Sequence, residues 1–96
     1  MIKFKALLKY PKVSKGRTSP IQSNYRPLFK FCKNYVSGAI ITKNDTPINP
    51  GEEVTVDIYI NSDNLIGKVS KGQKVTFWEP PIEIGEITIT DIIEEV

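Results

Sequence analysis

Gly16-Arg17-Thr18-Ser19-Pro20-Ile21-Gln22-Ser23-Asn24-Tyr25-Arg26-Pro27-Leu28-Phe29-Lys30-Phe31 is the stretch on which the reading of this chain turns. It begins rich in Gly, Pro, Ser and Asn and ends in an aromatic–Arg–Pro step that opens an apolar run. Pro27 has a fixed φ and no N–H, which suits the first position of a strand and disfavours helix for Arg26 before it. The stretch reads as the end of a long loop, from residue 10 to 24, feeding a strand from Leu28 to Tyr35. That strand turns Phe29 and Phe31 to one face and Leu28, Lys30 and Cys32 to the other.

Working outward, the same period of two recurs on both sides. Ile2, Phe4, Ala6 and Leu8 alternate with Lys3, Lys5, Leu7 and Lys9, which predicts a half-buried strand. Gly38 is expected to break or bulge the chain before a short strand over Ala39–Thr42. Asn49-Pro50-Gly51 predicts a turn. From Glu52 to Asn61 the alternation is clearest, with Val54, Val56, Ile58 and Ile60 facing in. A polar loop follows over 61–72, then strands over Lys74–Trp78 and Ile84–Ile93, separated by Pro80-Pro81. No stretch has helical spacing. Six short β-branched-rich strands with Gly and Pro between them predict an all-β single domain, a small barrel or sandwich, over residues 1–96.

Composition sets the functional bounds. The chain has 96 residues, 40% of them hydrophobic and 25% charged, as in a globular domain. No apolar run approaches the ~20 residues of a membrane-spanning helix, and the Lys-interrupted N-terminus predicts no secretory signal. The single Cys32 reads as a small core or near-core residue of a reduced, cytoplasmic protein. There is no His, which removes the usual catalytic triads and most zinc sites. Gly67-Lys68-Val69-Ser70 lacks the upstream Gly and the helical context of a phosphate loop. The carboxylates read as solvated faces. The expectation is a protein that is not an enzyme and uses no metal or cofactor. Charge is lopsided: ten of the thirteen basic residues lie in Met1–Asn44, and all eleven acidic residues lie in Asp45–Val96. Either folding interleaves the two halves and cancels the field, or a basic face meets RNA, another anion or an acidic protein.

Gly16, Arg17, Pro20, Tyr25, Arg26, Pro27, Phe29, Phe31 and Gly38 together resemble the C-terminal β-barrel, domain three, of elongation factor Tu. That family carries Gly-Gly-Arg-His-Thr-Pro, then Tyr-Arg-Pro-Gln-Phe, an aromatic strand and a Thr-Gly. Pro50-Gly51 with the strand from Val54 is similar to the family's Met-Pro-Gly-Asp-Asn-Val strand, and Gly72–Gly85 aligns without a gap to its Arg-Glu-Gly-Gly-Arg region. The resemblance covers nearly all of residues 3–93 and implies a six-stranded antiparallel β-barrel. It also implies a link to translation, with no nucleotide, because nothing here corresponds to the factor's nucleotide-binding domain.

In the family, one face of this barrel grips the T-stem of aminoacyl-tRNA, and most matching positions differ here. The family's loop His corresponds to Thr18, the Gln after Tyr-Arg-Pro to Leu28, and the Thr before the Gly to Ser37. Its first Arg corresponds to Trp78, its Glu is kept as Glu79, its two Gly are Pro80 and Pro81, and its second Arg is Ile82. Losing Arg removes bidentate phosphate contact, and replacing Gly by Pro removes backbone donors. The resemblance therefore implies a non-catalytic binding module that engages a protein partner linked to translation. Its expected contact residues are Arg17, Thr18, Arg26, Leu28, Ser37, Trp78, Glu79, Pro80, Pro81 and Ile82. Leu28, Trp78, Pro80, Pro81 and Ile82 are expected to form an exposed apolar patch. The alternative is an accessory protein that binds tRNA or other RNA through the basic half.

Overall fold

The computed structural model describes residues 1–12, 19–31, 33–62, 65 and 67–95. Six strands, β1 (Ile2–Lys9), β2 (Leu28–Phe31), β3 (Asn34–Ile41), β4 (Glu53–Ile60), β5 (Lys74–Glu79) and β6 (Ile82–Glu95), close into a barrel in the order β1-β4-β3-β2-β5-β6. Every pairing is antiparallel. The all-β, six-stranded antiparallel barrel expected from the sequence is thus the observed fold. The described helical residues are a 3₁₀ turn at Lys43–Asp45 and Leu65.

The period of two does what it predicts. Ile2, Phe4, Ala6 and Leu8 of β1 are buried, as are Val56, Ile58 and Ile60 of β4. With Phe29, Phe31, Ile40, Val75, Phe77, Ile84, Ile87 and Ile89 they form one contiguous core that fills the barrel. Burying such side chains is worth about 1.5–3 kcal/mol each, against which chain entropy must be set. The core continues past the strands. Ile21 and Ile48 bridge each other by a pair of backbone hydrogen bonds of 2.8 and 2.9 Å, and both are buried. Leu65 and Val69 are buried from within the segment expected to be a polar loop. Tyr10 is also fully buried, its hydroxyl donating to the Ser19 carbonyl at 2.8 Å.

The bounds differ from the sequence reading at β6, which runs Ile82–Glu95 rather than Ile84–Ile93, and most of all at β2 and β3. The first hairpin turns at Lys33 rather than after Tyr35, so Tyr35 belongs to β3, and Gly38 lies inside β3 instead of ending a strand. The reason is steric. A Cβ on Gly38 would come within 2.8 Å of both Phe29 and Ile60 side chains. The glycine is there for close approach of the Phe29 ring. Cys32, expected in or near the core, lies outside the described residues.

The lopsided charge is cancelled along β1. Its three lysines sit between acidic strands: Lys3 opposite Glu94, Lys5 opposite Asp57 and Asp91, Lys9 opposite Glu53 and Glu86. Opposite charges facing each other across strands contribute roughly 0.2–1 kcal/mol a pair. The basic N-terminal strand is therefore flanked on both sides by carboxylates, and of the two readings of the charge distribution the interleaved one describes this part of the molecule.

Candidate binding face

β2 lies between β3 and β5, and its outward side chains meet those of both. Leu28 pairs with Ser37 on one side and with Trp78 on the other. The next outward rung sets Tyr35, Lys30 and Thr76 side by side. Side chains at the same height on neighbouring strands are near enough to touch, and diagonal neighbours are within reach of large ones. That is what happens here. The Tyr35 and Trp78 rings meet edge to face, with centroids 5.9 Å apart and an interplanar angle of 88°. The Lys30 ammonium lies 5.6 Å from the Tyr35 centroid and 5.5 Å from that of Trp78. The indole N–H of Trp78 donates to Thr76 Oγ1 at 2.7 Å, which fixes the ring's orientation. Edge-to-face rings and a cation over a ring face are each worth about 0.5–1.5 kcal/mol beyond plain burial.

The rim of this face is polar. The Tyr25 hydroxyl donates to Glu79 Oε1 at 2.5 Å, joining the loop before β2 to the end of β5. Tyr25 is otherwise tied to β3, with Ile40 N–H donating to its carbonyl at 2.9 Å, and its ring packs against the core. Arg26 and Ser37 are exposed. Pro80 and Pro81, joined by a cis peptide bond, form the exposed turn between β5 and β6.

Leu28, Ser37, Trp78 and Glu79 are thus on adjoining rungs, with Arg26, Pro80 and Pro81 around them. Leu28, Trp78 and Ile82 are all half-buried, so of the apolar patch expected to be exposed only Pro80 and Pro81 are exposed, and Ile82 packs against the core. Arg17 and Thr18 lie outside the described residues. Three members of the cluster, Lys30, Tyr35 and Thr76, were not foreseen. Their adjacency depends on β2 separating β3 from β5, and a strand order of that kind leaves no local mark in the sequence.

The chain matches no protein-family model and no curated protein.

Among the described residues no group of three or more acidic, Cys or His side chains is placed to hold a metal ion. Tyr35 is 43% exposed and is one of the few large apolar side chains so open to water. The face combines a half-buried Trp, an exposed Tyr, a half-buried Leu and one Lys within a polar rim; Trp and Tyr are enriched at the centres of protein–protein contacts, whereas Lys is depleted there.

Proposed function

We propose that this chain is a non-catalytic binding module that engages a protein partner through the outward face of β3, β2 and β5. The observation that carries the reading is the Tyr35–Trp78–Lys30 cluster beside Leu28. An aromatic pair held edge to face and oriented by Thr76 presents a rigid apolar anchor, so little side-chain entropy is lost on docking. The resemblance to domain three of elongation factor Tu adds that the partner belongs to translation. The closed six-stranded barrel is the fold that resemblance implies, and the positions matching the family's tRNA-facing residues carry Leu28, Trp78, Pro80 and Pro81 instead.

A protein reading fits the face better than an RNA reading. Base stacking needs open ring faces and uncompensated cations. Here Lys30 lies over both rings, and the β1 lysines stand opposite carboxylates.

Immobilised wild-type chain and its Trp78→Ala and Lys5→Ala variants, each checked for folding by circular dichroism, are used to capture partners from lysate of the source cells. The same proteins are titrated with bulk tRNA at low salt. A protein retained by wild type and Lys5→Ala but lost by Trp78→Ala is the expected result. Retention by all three, or tRNA binding that falls steeply with salt in place of any captured protein, overturns the reading.

A further inference from the structure

The barrel is closed unevenly. β4 pairs with β1 along all eight of its residues, Glu53 to Ile60, but its ladder with β3 covers only Asp57–Ile60 and stops at the Ile41–Asp57 pair. Among the described residues, Glu53–Val56 pair on the β1 side alone.

The direction of the backbone groups follows from the ladder. Tyr10 N–H donates to the Glu52 carbonyl at 3.0 Å, so Glu52 faces β1. Backbone polar groups alternate sides along a strand. Val54 and Val56 therefore bond toward β1, while Glu53 and Thr55 present N–H and C=O to the other side. β3 gives the same phase from its own edge. Ile40 N–H donates to the Tyr25 carbonyl at 2.9 Å, away from β4, which leaves Ala39 and Ile41 to meet Tyr59 and Asp57. Continued by one more pair, the ladder would set residue 43 against Thr55. It does not continue. The Lys43 carbonyl accepts instead from Thr46 N–H at 3.1 Å, and Asn44 and Asp45, at φ of 54° and 56°, turn the chain aside.

What remains is a hollow of about 510 Å³ between β4 and the turn, bounded by Thr42, Lys43, Ile48, Glu52, Val54 and Val56. Its apolar wall comes from Ile48, Val54 and Val56. Thr42, 6% exposed, closes one end, and its hydroxyl has no hydrogen-bond partner among the described residues. Unpaired strand edges are the usual place at which proteins accept another strand.

We propose that the open edge of β4 at Glu53–Val56 docks an extended segment of a partner protein, which adds as a short strand between β4 and the Lys43–Asp45 turn. Four residues of strand span about 14 Å. The added strand's main chain meets the backbone groups of Glu53 and Thr55. Its inward side chains are apolar and lie against Ile48, Val54 and Val56, and its outward side chain beside the exposed Glu53 is basic. A second copy of this chain fits less well: two β4 edges paired about Thr55 would set Glu53 of each against Asp57 of the other, whose edge is already taken by Ile41 of β3. This site is on a different part of the barrel from the Trp78 face and stands or falls separately.

Ten-residue peptides displayed on phage are selected on the full chain, and the enriched peptides are titrated into isotopically labelled protein by NMR. The proposal expects peptides alternating apolar and polar residues, with shifted amides confined to Thr42–Ile48 and Glu52–Val56. It also expects binding at least about tenfold weaker to Thr55→Pro, whose lost N–H points away from β1 (tenfold being about 1.4 kcal/mol, one hydrogen bond). If that variant does not fold, N-methylation of alternate peptide nitrogens replaces it: one of the two alternating sets must abolish binding and the other must not. Enrichment of nothing, shifts on the Trp78 face only, equal tolerance of both N-methylated sets, or Glu53–Val56 amides that respond to protein concentration without peptide would overturn the proposal.

Discussion

Two inward glycines, Gly38 and Gly85, offer a graded test of how tightly the barrel is packed. In each case the proposed change is to Ala. A Cβ at Gly38 would meet Phe29 at 2.8 and 3.0 Å and Ile60 at 2.8 Å, all side-chain atoms. A Cβ at Gly85 would meet the Lys9 carbonyl oxygen at 2.5 Å and the Phe77 ring at 2.7 and 2.8 Å. A side chain relieves such a clash by shifting within its rotamer well. The Lys9 carbonyl belongs to β1, which is paired on both edges, and moves only if part of a ladder moves with it. Forcing a methyl into a well-packed core costs about 1–3 kcal/mol. Removing a glycine also restricts the unfolded chain, which returns about 0.4–1 kcal/mol. Gly38→Ala should therefore lose about 0.5–1.5 kcal/mol and Gly85→Ala, at the upper end of the cost, about 2–2.5 kcal/mol. With a urea slope of about 1 kcal/mol/M, the midpoints fall by about 0.5–1.5 M and about 2–2.5 M. Urea unfolding followed by Trp78 fluorescence measures both. The order is the sharper part of the test. Gly85→Ala as stable as Gly38→Ala, or either variant as stable as wild type, would refute the packing argument.

The Tyr25–Glu79 hydrogen bond joins the loop before β2 to β5, so Tyr25→Phe should cost about 1–2 kcal/mol. A cycle with Glu79→Ala should return a coupling of similar size, and a coupling near zero would show the bond to be idle. Lys3 is held protonated above its ordinary 10.5, chiefly by hydrogen bonding and charge from Tyr59 and then by Asp57 and Glu94. A raised folded-state value means that its stabilising effect is complete at neutral pH and lost as the pH climbs through that value. The melting-temperature difference between wild type and Lys3→Met should be flat from about pH 6 to about pH 9 and shrink only above it. A difference that grows with pH over that range would contradict the assignment.

Much of the fold is legible in the chain because strands announce themselves with a period of two. β1 and β4 do so cleanly, Lys alternating with apolar residues in one and Thr, Asp and Tyr in the other. The alternation fails where an apolar residue acts alone. Ile21, Ile48, Leu65 and Val69 are buried yet lie in loop segments with no repeat. Only the three-dimensional course of the loops carries them to the core. Gly38 misleads for another reason. Glycine in a strand signals either a break or a close approach, and which one applies depends on Phe29 and Ile60, far away in sequence. The binding face divides in the same manner. Leu28 and Trp78 stand out in the sequence as apolar residues at outward positions, which the fold half-buries, whereas Tyr35 and Lys30 join them only through a strand order that pairs β2 with both β3 and β5.

The placement of β1 also sets a timetable for the molecule's birth. Its second edge is completed by Glu86–Glu95 of β6, almost the whole length of the domain away. Contacts so distant along the chain require the largest loop closures and are slow to form. A ribosome making this chain would hold residues 1–85 with one flank of β1 bare, an alternation of Ile, Phe, Ala and Leu with lysine between them. Lysine on a bare strand edge discourages stray pairing. The lysines that meet carboxylates in the finished barrel are thus also the groups that keep the unfinished one apart from its neighbours.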